Sequence, residues 1–122
     1  MSVPAFLLAD PASPAWRSPL RRALEHAPEG IRDVSALVGA DEEAALGPAA
    51  GLAGIELEGP RVETLLRRLT DLRLDALPAV GAVAHVRALV APAGADCYRI
   101  WFPQEYSDYL AEVIVDAAEG LA

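Results

Sequence analysis

The sequence contains no lysine, so all ten of its cationic side chains are arginines. Chemistry that needs a side-chain amine as nucleophile, such as Schiff-base formation, is therefore excluded. With eighteen acidic residues the formal net charge is -8 at pH 7, and arginines are adjacent only at positions 21–22 and 67–68. Because the phosphates of a nucleic acid would meet net repulsion, we expect no nucleic-acid partner.

Cysteine and histidine are also scarce. Cys97 is the only cysteine, so no intrachain disulfide forms, and we expect a cytoplasmic protein in a reducing environment. The two histidines, His26 and His85, lie too far apart in the sequence to give a metal-ligand spacing. No apolar run approaches the roughly 18 residues of a membrane span, and the N-terminus lacks the basic segment of a signal peptide. Neither a metal nor a membrane is expected.

The first part of the chain carries weak patterns. Residues 1–17 hold three prolines and no sustained period, which predicts an extended N-terminal arm before a single domain over residues 18–122. Ser18 and Pro19 form a helix-start signal, and a short helix is predicted up to residue 27. Residues 31–38 alternate like a short strand. Residues 39–51 are interpreted as a surface insertion with one helical turn capped by Asp41.

The signal improves after residue 51. Residues 52–58 place Ala53, Ile55 and Leu57 on one face and two glutamates on the other, which predicts a strand buried on one side. Gly-Pro at positions 59–60 then makes a corner, and apolar residues from position 62 to 72 form a single helical stripe. This corner is not a phosphate loop, because its proline removes a backbone N–H that a phosphate would need.

The C-terminal half predicts a hairpin followed by a helix. Residues 82–92 and 97–102 have strand composition and are joined by the turn-forming residues 92–96. Pro103 opens a second amphipathic helix, whose predicted buried face begins with Tyr106 and Tyr109. The order from residue 51 is then β-α-β-β-α. It predicts an α+β fold, a split β-α-β sandwich in which two helices cover one face of an antiparallel sheet.

In that order, several segments resemble the N-terminal region of the glycine-cleavage T-protein family of tetrahydrofolate-dependent aminomethyltransferases. They are SPLRRALEHA, IRDVSALV, GLAGIELEGPRVETLLRRLTDLRLDALP and VGAVAHVRALVAP, followed by YRIWFPQEYSDYLAEVIVDAA. The most specific parts are residues 32–35 and the corner at residues 59–60. The resemblance implies one reduced lobe of the folate-binding domain. It is nearest to the gamma subunit of heterotetrameric sarcosine oxidases.

This sequence departs from the family at functional positions. The resemblance implies a glycine-rich, doubly acidic hairpin whose carboxylate faces the folate, but here the hairpin reads APAGADCY, with Asp96 as the sole candidate. The second folate-binding lobe and the C-terminal barrel are missing from this sequence. No cofactor is therefore expected on this chain alone. The resemblance implies that tetrahydrofolate and flavin belong to larger partner subunits of a hetero-oligomer.

Each candidate residue has a structural alternative. Asp96 is a weak catalytic candidate, and a hairpin-turn aspartate is the commoner role for that residue type. Cys97 fits a small buried strand residue better than a nucleophile, since no neighbouring base is evident. His85 and Arg87 are weak ligand-binding candidates that could form an anion site. Two polar side chains on the solvated face of a half-buried strand are the commoner explanation of this pattern.

The aromatic residues favour partner binding. The candidate anchors are Trp16 in the arm, Tyr98 and Trp101 in the second hairpin strand, and Tyr106 and Tyr109 in the last helix. For Trp16 and Trp101, packing within the domain itself is the alternative.

The leading expectation is a non-catalytic, gamma-like subunit of a sarcosine-oxidase-like or other tetrahydrofolate-linked complex. One alternative is an aminomethyltransferase-like enzyme completed by homodimerisation. Another is a binding module for folate or a small acid.

Overall fold

The computed structural model describes residues 16–47 and 51–121. They form an α+β fold with one five-stranded antiparallel sheet in the order β1-β2-β5-β4-β3. The strands are β1 (Ile31–Asp33), β2 (Leu52–Glu58), β3 (Ala79–Val83), β4 (Val86–Gly94) and β5 (Cys97–Pro103). The α-helices are α1 (Ala40–Leu46), α2 (Val62–Leu69) and α3 (Ser107–Glu119), with short 3₁₀ turns at Ser35–Leu37, Leu74–Ala76 and Gln104–Tyr106.

The sheet has the predicted split arrangement. β2 and β4 run parallel to each other with β5 antiparallel between them, and α2 lies in the connection from β2 towards β4. Both α2 and α3 contribute to one hydrophobic cluster with the same face of the sheet, which we call the inner face. This cluster contains Ile55 and Leu57 of β2, Val90 of β4 and Ile100 of β5. The predicted α+β class and the two helices on one face are confirmed.

The amphipathic helix after the Gly-Pro corner is confirmed. Its stripe of Val62, Leu65, Leu66 and Leu69 is buried, while Glu63 and Arg67 remain exposed. The last helix is rotated relative to the prediction, since its buried residues are Ser107, Leu110, Ala111 and Ile114. Tyr106 and Tyr109 lie outside that stripe because a 3₁₀ turn precedes the helix and shifts its phase.

Residues 82–92, predicted as one strand, are divided between two strands. β3 and β4 are joined by a two-residue turn at Ala84 and His85, whose φ angles are 47° and 73°. Such positive φ values define the tight hairpin turns that match the twist of a sheet. α2 fixes this hairpin, because the N–H of Ala84 donates to the carbonyl of Leu69 at 2.7 Å and the Thr70 hydroxyl donates to the carbonyl of Ala82 at 2.7 Å.

The opposite side of the sheet, which we call the outer face, is also covered. Leu52, Gly54 and Glu56 of β2 all point to this face and are all buried, so the prediction that β2 is buried on one side only is wrong. The cover comes from the segment between β1 and β2. α1 lies against β4 and β5, and the Ser35 hydroxyl accepts a hydrogen bond from the N–H of Gly54 at 3.1 Å.

The N-terminal predictions hold only in part. Residues 19–26 form consecutive turns instead of a regular helix, although the N–H of Leu20 donates to the Ser18 hydroxyl as a cap would. Only the hydrogen bond from the N–H of Leu24 to the carbonyl of Leu20 has α-helical spacing; those donated by Arg21, Glu25 and Ala27 reach back three residues, so no α-helical ladder forms. Leu20 is nevertheless buried in the core cluster.

The two segments predicted as an extended arm and a surface insertion are only partly described. Residues 1–15 of the predicted arm lie outside the described residues, as do residues 48–50 of the predicted insertion. Within 39–51, the helix begins after Gly39 instead of at Asp41, and the Glu42 side chain accepts the N–H of Gly39 at 3.0 Å.

Candidate functional site

A row of three charged side chains crosses the outer face of the sheet. Glu56 in β2 is paired in register with Arg32 of β1 on one side and Arg99 of β5 on the other. Arg99 Nε donates to Glu56 Oε1 at 2.9 Å, and Arg32 Nη2 contacts Glu56 Oε2. The Glu56 side chain is only 4% exposed, whereas those of Arg32 and Arg99 are 61% and 35% exposed.

This row is a buried carboxylate neutralised by two partly solvated guanidinium groups. Removing a carboxylate from water is unfavourable unless it is paired and hydrogen-bonded, and the two arginines supply that pairing across three strands. Glu56 Oε2 accepts no hydrogen bond of normal geometry, so its stabilisation depends on the charge of Arg32. The sequence alone placed Glu56 on a solvated face, because nothing in the alternation of β2 indicates that the outer face is covered.

Trp101 lies next to this row on the same face. It is 1% exposed and stands opposite Gly54, whose missing side chain leaves room for the indole ring. A Cβ atom at position 54 would lie 2.4 Å from Cζ3 of Trp101. Trp101 is therefore part of the core of this chain and is not available as a partner anchor, which corrects that prediction in favour of its structural alternative.

The Gly-Pro corner joins β2 to α2 and also holds the second hairpin. The N–H of Gly59 donates to the carbonyl of Asp96 at 2.9 Å, so the corner and the β4–β5 turn are tied through their backbones. Gly30, whose φ is 92°, lies beside this corner. Its carbonyl accepts a hydrogen bond from the N–H of Glu58 at 2.8 Å. A cavity of about 700 Å³ opens beside these residues and the C-terminal end of α3.

Asp96 occupies the two-residue turn between β4 and β5. Its φ is 52°, a conformation that aspartate adopts more readily than most residues, and its side chain is exposed. This placement supports the hairpin-turn interpretation over the catalytic one. Cys97, the next residue, is buried at 4% exposure in the described structure, as expected for a small strand residue.

His85 and Arg87 do not share the strand face on which they were predicted. His85 is the second residue of the β3–β4 turn, and Arg87 lies on the exposed outer side of β4 opposite Ala82. The predicted alternation fails because the strand is broken at Ala84 and His85. The sequence does not predict this turn, because Ala-His is not one of the residue pairs that favour two-residue hairpin turns.

A scan of protein-family models finds no match to this chain. A search of curated proteins finds none either. Among residues 16–47 and 51–121, no helix is long and apolar enough to cross a membrane. In the same ranges, no group of three or more His, Cys, Asp or Glu residues is placed to hold a metal ion.

Tyr98 is half-buried on the inner face beside α2. Its hydroxyl donates to Glu63 Oε1 at 3.4 Å, and desolvation together with the Glu63 carboxylate raises the pKa of Tyr98 above its ordinary value. Trp16, at the start of the described chain, is partly exposed and outside any regular element.

Two aromatic side chains remain exposed at the start of α3. Tyr106, the last residue of the 3₁₀ turn, is 41% exposed, and Tyr109, in the first turn of α3, is 44% exposed. The Tyr109 hydroxyl donates to the carbonyl of Ala84 at 2.9 Å, which fixes its ring beside the β3–β4 turn. An aromatic pair held on a rigid element is the arrangement that interface anchors commonly show.

Proposed function

We propose that this chain is a non-catalytic, gamma-like subunit of a multimeric sarcosine-oxidase-like or other tetrahydrofolate-linked complex. The observation that carries the proposal is the exposed pair Tyr106 and Tyr109, which presents two aromatic rings where the last 3₁₀ turn passes into α3. The partners are larger flavin- and folate-binding chains, an assignment that rests on the sequence resemblance. The cytoplasm is the proposed location. The α+β fold with its split sheet is compatible with the lobe that the resemblance implies.

The geometry of the pair favours binding over catalysis. The Tyr109 hydroxyl donates to the carbonyl of Ala84 in the β3–β4 turn. The partly exposed ring is therefore already oriented before a partner binds. Pre-oriented side chains lose little conformational entropy on association, which is why rigid aromatic residues are effective anchors. The acidic character of the chain, at net charge -8, favours a partner surface of positive potential.

The test is purification of the tagged chain from its source organism. We expect larger chains to co-purify in fixed ratio and to carry flavin absorbance. Substituting Tyr106→Ala or Tyr109→Ala should reduce this co-purification about tenfold, as for an interface hot spot. Arg73→Ala, an exposed change outside α3, should leave the co-purification unchanged. A chain that remains alone or self-associates as a homodimer, or tyrosine variants that retain all partners, would count against the proposal.

Two further measurements separate the alternatives. Saturable binding of tetrahydrofolate to the isolated chain, followed by Trp fluorescence, would favour a folate-binding module. Loss of activity in the Asp96→Ala complex, with assembly intact, would favour an aminomethyltransferase-like enzyme. We expect neither, because Asp96 is an exposed turn residue whose backbone carbonyl, not its carboxylate, makes the ordered contact.

A further inference from the structure

The cavity beside the Gly-Pro corner is an open end of the main core. Its volume is about 700 Å³, and it lies on the inner side of the sheet. Its apolar lining consists of Ile31 of β1, Leu57 of β2, Val62 and Leu65 of α2, and Ala118 and Leu121 at the end of α3. Three of these belong to the core cluster, while Ile31, Ala118 and Leu121 pack against it and remain partly exposed. The core is therefore continuous with the surface at this point.

Charge does not select the occupant of this cavity. Arg32 pairs with Glu56 on the outer face, and Glu58 points to the same face because residues of β2 alternate between the two faces. Arg61 donates from Nη1 to a backbone carbonyl at the end of α3. The remaining charged residue of the lining, Glu29, is exposed to solvent. The interior of the cavity is therefore suited to apolar side chains.

The described chain begins close to β1, the edge strand that contributes to the cavity. The Ser18 hydroxyl donates to the carboxylate of Asp33, the last residue of β1. Ile31, at the other end of this strand, lines the cavity. Two strand residues span only about 7 Å. Residues 1–15 therefore precede a part of the chain that lies beside the strand lining the cavity.

Residues 1–15 carry an apolar run of their own. They read MSVPAFLLADPASPA, in which Asp10 is the single charged side chain and Phe6, Leu7 and Leu8 are three consecutive large apolar residues. Leu8 precedes Trp16 by eight residues, which span up to about 26 to 29 Å when extended. This tether is several times longer than the step along β1, so the apolar run can reach the cavity.

We propose that Phe6, Leu7 and Leu8 of this same chain pack into the cavity and close the core at this end. Removing large apolar side chains from water is the main favourable term in such packing. The tether lowers the entropy cost, since short flexible linkers give effective concentrations in the millimolar range. A second copy of the chain carries the same three residues but competes only at comparable concentrations. The proposal is independent of the proposed function and of the Tyr106 and Tyr109 surface.

A spin label on the full chain tests where this segment lies. The label is attached at Ala9→Cys in a Cys97→Ala background, so that it occupies a single position next to the apolar run. We expect the amide signals of Gly59 and Leu121, which line the cavity, to be broadened several-fold more than that of Ala82 in the opposite edge strand β3. Equal signal loss at all three amides, or none at Gly59 and Leu121, would overturn the proposal.

Substitutions within residues 1–15 separate packing from charge. Phe6→Asp/Leu8→Asp should abolish the broadening at Leu121, because a carboxylate is unfavourable in an apolar cavity. The matched control, Ser2→Asp/Ser13→Asp, makes the same change in net charge within the same segment and should retain the broadening. Loss in both double variants, or retention in both, would refute the packing of these side chains.

A mixture of two preparations identifies which molecule supplies the segment. Isotope-enriched chain without a spin label is mixed with spin-labelled chain that is not enriched. We expect no broadening at Leu121 in this mixture, because the segment occupies the cavity of its own chain. Broadening as strong as in the labelled, enriched chain would mean that a second copy supplies these residues, and the intramolecular proposal would be wrong.

Discussion

The contact between Gly54 and Trp101 yields the sharpest stability prediction. In Gly54→Ala, the new Cβ would lie 2.4 Å from Cζ3 and 2.5 Å from Cε3 of the indole ring. Neither partner has room to move, because Trp101 is 1% exposed and Gly54 sits in a strand paired on both sides. Forcing atoms into a packed core typically costs 1 to 3 kcal/mol. We expect about 3 kcal/mol, the upper end of that range.

The assay is urea denaturation followed by Trp fluorescence and far-ultraviolet circular dichroism. A loss of about 3 kcal/mol is a large share of the roughly 5 to 15 kcal/mol that stabilises most domains, so the midpoint should fall clearly. Gly39→Ala is the matched control, because its Cβ would meet only the flexible Glu42 side chain, at 3.3 Å. That control should change the free energy of unfolding by less than about 1 kcal/mol.

A double-mutant cycle tests the cause. Trp101→Leu alone should cost about 3 kcal/mol through the cavity that it creates. In that background the added methyl group of Gly54→Ala has space, so its further cost should fall below about 1 kcal/mol, a coupling of about 2 kcal/mol. If Gly54→Ala is neutral in the parent, or equally harmful with and without the indole, the packing argument is wrong.

Three further predictions concern single groups. Glu56→Gln should lower the free energy of unfolding by about 1 to 3 kcal/mol in urea titration, since it leaves two arginines without their counter-charge but partly solvated; an unchanged midpoint would contradict this. His85→Gly should raise the melting temperature, because glycine removes the strain of φ at 73°; a lower melting temperature would contradict it. Glu63→Gln should shift the Tyr98 titration, followed by phenolate absorbance, to lower pH. Because the folded-state pKa of Tyr98 lies above the unfolded value near 10, its stabilising contribution is present below that pH and is lost as pH rises further; equal titration in both proteins would refute the role of Glu63.

Much of the inner face could be predicted from the sequence. Helical spacing from Val62 to Leu69 and alternation from Ala53 to Leu57 are local patterns, and they indicated correctly which residues face the core between sheet and helices. The second hairpin was also predictable because the turn-forming residues 92–96 separate two apolar runs. Local patterns of this kind decide which way a side chain points.

The outer face could not be predicted in the same way. Whether Glu56 is solvated or buried depends on α1 and on the register that brings Arg32 and Arg99 beside it, and neither follows from the spacing within β2. Two alternating positions of β2 face complementary residues in the neighbouring strands: Gly54 faces Trp101, and Glu56 faces Arg32 and Arg99. Such complementary positions are the one signal that could have suggested a covered face. The β3–β4 turn was missed because Ala84 and His85 carry no turn signature.

The charged row also determines how the strands can align. Side chains in a strand alternate between faces, so a shift of β2 by one residue would move Glu56 to the inner face, among Leu65, Leu66 and Ile114. An unpaired carboxylate there would be strongly unfavourable, and both arginines would lose their counter-charge at the same time. A one-residue shift of β2 against β1 and β5 is therefore penalised. The row thus favours the alignment in which the buried carboxylate of Glu56 lies between both guanidinium groups.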